Sequence, residues 1–153
     1  MRLSASRVVQ GVVVGVGATA VMDLTAEVLR RTRGTGSLDY ALVGRWLGHM
    51  PAGRFRHESI MTAEPVPSER ALGWGAHYTI GSGFAVALAF ADSKWLDDPR
   101  FVMQPAFGFG VAASKTPSPS QARLGSLRAH SAYGIGLWLS GVALKQIRQR
   151  MTA

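Results

Sequence analysis

The stretch ALGWGAHYTIGSGFAVALAFA, residues 71–91, runs for 21 residues without a formal charge and with one histidine, His77. At ~1.5 Å per residue, a helix of that length covers a hydrocarbon core of ~30 Å. Two further runs share its character. VVQGVVVGVGATAVMDLTAEVL, residues 8–29, carries formal charge only at Asp23 and Glu27, near its end. Residues 124–144 carry Arg128 near their start, and Lys145, Arg148 and Arg150 follow. Only 17% of the 153 residues are charged, against ~25% in a soluble domain, and they collect between the runs. The pattern predicts an all-α integral membrane helical bundle. It forms one transmembrane domain over residues 1–153, with three clear transmembrane helices at about 8–29, 71–91 and 124–144.

A fourth apolar segment, residues 101–114, contains Pro105. Its length of ~21 Å as a helix is too short to cross unaided. Residues 92–100 read as a polar break, and residues 115–121, with Pro117 and Pro119, as a loop. Ala18-Thr19-Ala20 behind Arg2 and Arg7 resembles a signal-peptide cleavage site. The apolar run continues past it, however, and its small residues follow a packing repeat, so a retained span is the reading adopted.

Between the first two runs lies SLDYALVGRWLGHMPAGRFRH, residues 37–57. Ser37 is the expected N-cap of a short helix, with Asp39 in the first turn, where the helix dipole favours an acid. Leu38, Leu42, Trp46 and Met50 recur on one side, and Pro51 ends it. The helix is far too short to span and is predicted to lie at the interface, anchored by Trp46. Asp39, Tyr40, Arg45, His49, Arg54, Arg56 and His57 give this loop its polar face. His49 and His57 are eight apart across Pro51, which is not the spacing of an i,i+4 metal pair, and they are expected to be interfacial or solvated. Residues 64–70, with Pro65 and Pro67, read as an extended connector, and Ser68 as a cap for the next helix.

Helices in lipid associate through small residues and interhelical hydrogen bonds. Gly11, Gly15 and Thr19 recur every four residues, and the next step is Asp23. Gly73, His77 and Gly81 do the same in the second run, and His130 precedes Gly134 and Gly141 in the last. These stripes are expected to face inward. Asp23, His77, Gln104 and His130 are then expected to form one polar cluster, roofed by the loop face. The bland alternative is that each is ordinary interhelical hydrogen-bond glue. Convergence of several ionisable groups inside a membrane instead points to a ligand site.

The net charge is +8, but the arginines flank apolar runs and line no helix face. That points to topology and anionic lipid headgroups at the arginine-rich loop, and away from nucleic acid. Counted over four crossings, ten Lys and Arg fall on the face holding residues 30–70 and seven on the other. The loop is accordingly expected to be cytoplasmic. Cysteine is absent, which removes thiolate chemistry. No nucleophile–base constellation is recognisable, so the reading leans away from an enzyme, with no catalytic residue named. Two functions remain. One is an accessory or structural subunit packing against other membrane helices in a larger complex. The other is binding or transport of a small ligand, proton or metal ion by the buried Asp/His cluster. His77 or His130 as a haem or chlorophyll-type pigment ligand is a chemical option, since imidazole is a common axial ligand.

The motifs LDYALVGRWLGHMPAGRFRH, ERALGWGAHYTIG and FVMQPAFGFGVAASKTPSPSQARLGSLRAHSAYGIGL, with GVGATAVMDL before them, resemble the bacterial integral membrane family catalogued as domain of unknown function 2938. The resemblance covers nearly the whole chain. It implies a small multi-pass protein of the bacterial inner membrane, usually of four helices, with no assigned activity. The family pattern carries a full apolar helix before the FVMQP motif. Here residues 91–100 lead almost directly into Phe101, so about one transmembrane helix is missing from the pattern.

Overall fold

The computed structural model describes residues 5–36, 39–102 and 119–152. Among them every regular element is helical. Helix α1 runs Ala5–Arg33, and α2 Tyr40–His49, which continues as a 3-10 turn over Met50–Ala52. Helix α3 runs Glu69–Ala91 and α4 Pro119–Thr152. The three long helices contain the three apolar runs and extend them at both ends or at the start. They do not pass one test together. By length and hydropathy, α1 alone among the described helices is long and apolar enough to cross a membrane. Helices α3 and α4 reach the length, but glycines with His77 in one, and Arg128 with His130 in the other, dilute their hydropathy. Three spans were expected; one meets the criterion. The short apolar segment 101–114 lies outside the described residues beyond Val102.

The chain forms two compact units. The larger comprises Met1–Thr35 and Gly81–Ala153, the smaller Gly36–Ile80. In the larger unit α1 and α4 run antiparallel, as three pairings along them show. Arg148 Nη1 donates to Gln10 Oε1 at 3.1 Å, Gly17 abuts Ser140, and Gly136 abuts Ala18 and Val21. Glycine sets these distances. A Cβ on Gly136 would stand 2.7 Å from Ala18 Cα, and one on Gly15 would stand 2.5 Å from Ser82 Cα on α3. Backbones this close leave no room for a side chain. Val14, Ala18, Ala85, Ala89, Tyr133 and Leu137 pack around these contacts in the core. Tyr133 is buried and its hydroxyl donates to the Gly81 carbonyl at 2.5 Å.

What faces outward is as informative. Helix α1 buries Gly11, Val14, Gly15, Ala18 and Thr19, yet Val9, Val13, Leu24 and Val28 are each more than half exposed. Helix α4 likewise leaves Leu124, Ile135, Trp138, Leu139 and Ile147 exposed. Helix α1 thus buries mostly small residues beside Val14, and α4 buries Tyr133 and Leu137 among its glycines, while both leave large apolar side chains outward.

Residues 92–100 are more than a polar break. Trp95 and Leu96 are buried in the core, Trp95 Nε1 donates to Arg100 O at 3.0 Å, and Pro99 and Trp95 lie against Gly141 of α4. The acids around them are paired: Asp92 with Arg100, Asp97 with Arg148 at 3.1 Å, and Asp98 with Lys145 at 3.8 Å. The segment is a turn pinned to the end of α4.

Candidate functional site

The polar residues of the smaller unit are organised by one close contact. Gly44 of α2 and Gly73 of α3 meet backbone to backbone. A Cβ on Gly44 would fall on the Glu69 carbonyl, and one on Gly73 on the Tyr40 carbonyl. From that crossing the antiparallel register follows. One turn away Tyr40 meets His77, its hydroxyl 3.0 Å from His77 Nε2. In the other direction Arg45 meets Glu69, and Gly48 meets Val66.

Asp39 starts α2. It is the N-cap itself, with extended backbone, and its carboxylate accepts from Ala41 N at 2.9 Å. This corrects the expectation that Ser37 caps and Asp39 sits in the first turn; a short acceptor side chain two residues before a free N–H closes the cap more directly. Ser37 lies outside the described residues. Ser68 precedes α3 as expected, with a left-handed φ of 59°, and its carbonyl accepts from Leu72 N.

Arg45 is the hub. Its guanidinium makes a two-pronged pair with Glu69 at 2.8 and 2.9 Å. Its remaining terminal nitrogen, Nη1, donates to the carbonyls of Ile60, Met61 and Ala63 at 3.1–3.3 Å. Glu69 also accepts from Val66 N at 3.2 Å. One planar cation thus ties the connector to both helices, a task for which the five-donor fork of arginine is suited. The Arg45 hydrogen bond holds the Glu69 carboxyl below the usual carboxylate range, opposed by desolvation.

His49 and His57, expected to be interfacial or solvated, are bonded to each other: Nδ1 of His49 lies 2.7 Å from Nε2 of His57. His49 is buried. Contact between two imidazole nitrogens requires one to carry hydrogen and the other a lone pair. Gly53, with φ 73°, reverses the chain after the 3-10 turn, and this reversal brings His57 back to α2. Trp46 Nε1 donates to Phe55 O at 3.0 Å, so the expected interfacial anchor also binds the loop. Arg54 and Arg56 are exposed, as is Phe55 between them.

The predicted polar cluster distributes over the two units. Asp23 and His130 belong to the larger and His77 to the smaller, and Gln104 lies outside the described residues. The glycine stripes carrying them are inward as expected: Gly11, Gly15, Gly73, Gly81, Gly134 and Gly141 are buried. Asp23, His77 and His130 are half-buried. His130 Nδ1 lies 2.7 Å from the Ser126 carbonyl. His77 is enclosed by rings, its centroid 4.4 Å from that of Tyr40, 5.9 Å from Trp74 and 5.5 Å from Tyr78. No group of three or more metal-ligating side chains occurs among the described residues.

Sequence reasoning missed the Arg45–Glu69 pair and its three carbonyls. The residues are 24 apart, and nothing local marks the partnership. Trp95-Leu96 inside an otherwise charged segment was the available signal for the buried turn.

A family model described as a protein of unknown function, DUF2938, matches residues 12–144, and the chain belongs to that family. No curated protein and no solved structure matches the chain.

Proposed function

We propose that this member of the family is an integral protein of the bacterial inner membrane, crossing it several times, and that it serves as an accessory or structural subunit packing against partner helices. The observation carrying the membrane reading is the packing of α1: Gly11, Gly15, Ala18 and Thr19 inward beside a single valine, Val14, with Val9, Val13, Leu24 and Val28 outward. Lipid offers no penalty for exposed Val9 or Leu24, and close backbone approach replaces the hydrophobic effect as the cohesive term. Water would penalise the same arrangement by ~25 cal/mol for each Å² of apolar surface left exposed.

The subunit reading rests on α3. Its inward stripe is occupied, but Gly75, Thr79 and Gly83, four residues apart, are exposed, and a Cβ on Gly75 or Gly83 would meet nothing within 4 Å. That face suits the approach of a further helix. The smaller unit's polar side chains are largely committed to one another, which fits a structural role better than an open reaction centre.

Alkaline carbonate is the test of membrane integration: the protein should stay in the membrane pellet and require detergent for solubility. Recovery as a monodisperse particle without detergent overturns the reading. For the subunit role, Gly75→Leu with Gly83→Leu should shift the protein from a large native assembly to its free size in mild detergent. An unchanged native size removes that role.

A further inference from the structure

Beyond the close contact of α1 and α4 at Gly136 lies an open groove of about 440 Å³ lined by both helices. Its α1 wall is Val21, Thr25, Leu29 and Arg33, every fourth residue of one stripe, and its α4 wall includes Leu127, Arg128, Ala132 and Ile135. The antiparallel register orders these walls. Val21 lies beside Gly136, so continuing along both helices brings Leu29 level with Arg128, and Arg33 a turn beyond. The groove is therefore apolar at one end, mixed in the middle and cationic at the other. Val21 to Arg33 spans ~18 Å of helix.

The two arginines are available. Arg30 and Arg31, their neighbours in sequence, are both bound to Glu27, at 2.7 and 2.6 Å. Arg33 and Arg128 make no hydrogen bond or ion pair among the described residues. The α1 C-terminus nearby presents carbonyl oxygens, which attract cations and repel anions. An anion at this end must then be held by guanidinium groups reaching past the helix end, in the forked geometry that suits phosphate. A groove about 18 Å long, apolar at the Gly136 end, carrying Thr25 and Ser131 in its middle and ending in two guanidinium groups without a partner among the described residues, has the polarity profile of one amphiphile: hydrocarbon first, anion last.

We infer that the α1–α4 groove binds an anionic membrane phospholipid, with an acyl chain along Val21, Leu29, Ala132 and Ile135 and the phosphate at Arg33 and Arg128. The inference rests on the membrane reading. It adds a specific lipid site to a general bilayer environment, distinct from diffuse headgroup contact at the exposed Arg54 and Arg56.

The test uses the full chain in a neutral detergent, with phosphatidylglycerol, phosphatidylcholine and soluble glycerol 3-phosphate as probes. Phosphatidylglycerol should raise the unfolding temperature and be retained in native mass spectra, while phosphatidylcholine should do neither. In the R33Q/R128Q double variant, apparent affinity for phosphatidylglycerol should fall about tenfold or more. Ala132→Phe, which obstructs the apolar half and keeps both charges, should weaken it as well. R54Q/R56Q should leave it unchanged. Equal response of wild type and R33Q/R128Q to phosphatidylglycerol overturns the site. So does equal stabilisation by glycerol 3-phosphate alone, which would assign the arginines to free phosphate. A chain that needs detergent but shows either result loses this inference and keeps the membrane reading; one that needs no detergent loses both.

Discussion

The two units solve the same problem, holding helices against each other, with opposite materials. In each, glycine lets backbones touch: Gly15 and Gly136 in the larger, Gly44 and Gly73 in the smaller. Around those contacts the larger unit supplies Val14, Ala18, Ala85 and Leu137, with the Tyr133 hydroxyl as a buried interhelical link. The smaller supplies an ion pair, a histidine pair and a tyrosine–histidine bond. Glycine fixes the separation, and the neighbours decide whether the contact is dispersive or polar. The comparison predicts that the units fail in different ways.

The largest effect should come from filling the crossings. Gly73→Val and Gly15→Val place a branched side chain where another backbone stands, costing about 1–3 kcal/mol or more. Helix propensity alone would make either change neutral or favourable, so loss of thermal stability in detergent isolates the packing term. Gly73→Val should be the worse, because its added carbon falls on a carbonyl. If it proves harmless, the smaller unit is not organised by its glycine crossing.

Next comes the polar hub, which should distinguish the units most cleanly. Arg45→Met strands Glu69 and the carbonyls of Ile60, Met61 and Ala63, so amide exchange over residues 53–68 should rise sharply while that of α1 and α4 holds. Acid should mimic the variant. The folded Glu69 carboxyl titrates below its unfolded value, so its contribution is full above the unfolded range, ~4.3, and disappears as pH falls through the lower folded value. Exchange over residues 53–68 in the wild type should therefore climb below about pH 4, with Arg45→Met showing a smaller acid response. An identical acid response in the variant would separate the acid effect from this pair.

The smallest effect belongs to the larger unit. Tyr133→Phe removes one hydrogen bond to Gly81, whose cost is ~1 kcal/mol. The melting temperature should drop slightly, with no change in exchange over residues 53–68. A loss comparable to that of Gly15→Val would mean the larger unit also depends on polar fastening.

The helices were legible because their apolar runs are long and their breakers local. Residues 8–29 and 124–144 sit inside α1 and α4, and residues 71–91 form nearly all of α3. Glycine periodicity gave the inward stripes for the same reason: a four-residue repeat is a property of a single helix. The pairings were not legible. Arg45 with Glu69, and Tyr40 with His77, depend on where Gly44 meets Gly73, which is a fact of tertiary register. His49 with His57 depends on the left-handed Gly53 turning the chain back. The span count diverged because glycine with His77 in α3, and Arg128 with His130 in α4, lower the mean hydropathy of those two helices.

The 34 residues of α4 measure ~51 Å, far more than a hydrocarbon core of ~30 Å. Seated in a bilayer as proposed, the helix must overhang it. The overhang at its far end carries Lys145 and Arg148, both held by the turn that plugs Trp95 into the core. That turn would act as a depth stop: a charged collar above a buried tryptophan, fixing how far the helix can slide. A chain with a full helix in place of the turn would have its depth set by another crossing. Here a clamp of nine residues, 92–100, would do that work, and mismatch with a thicker or thinner membrane would be met by tilting the bundle.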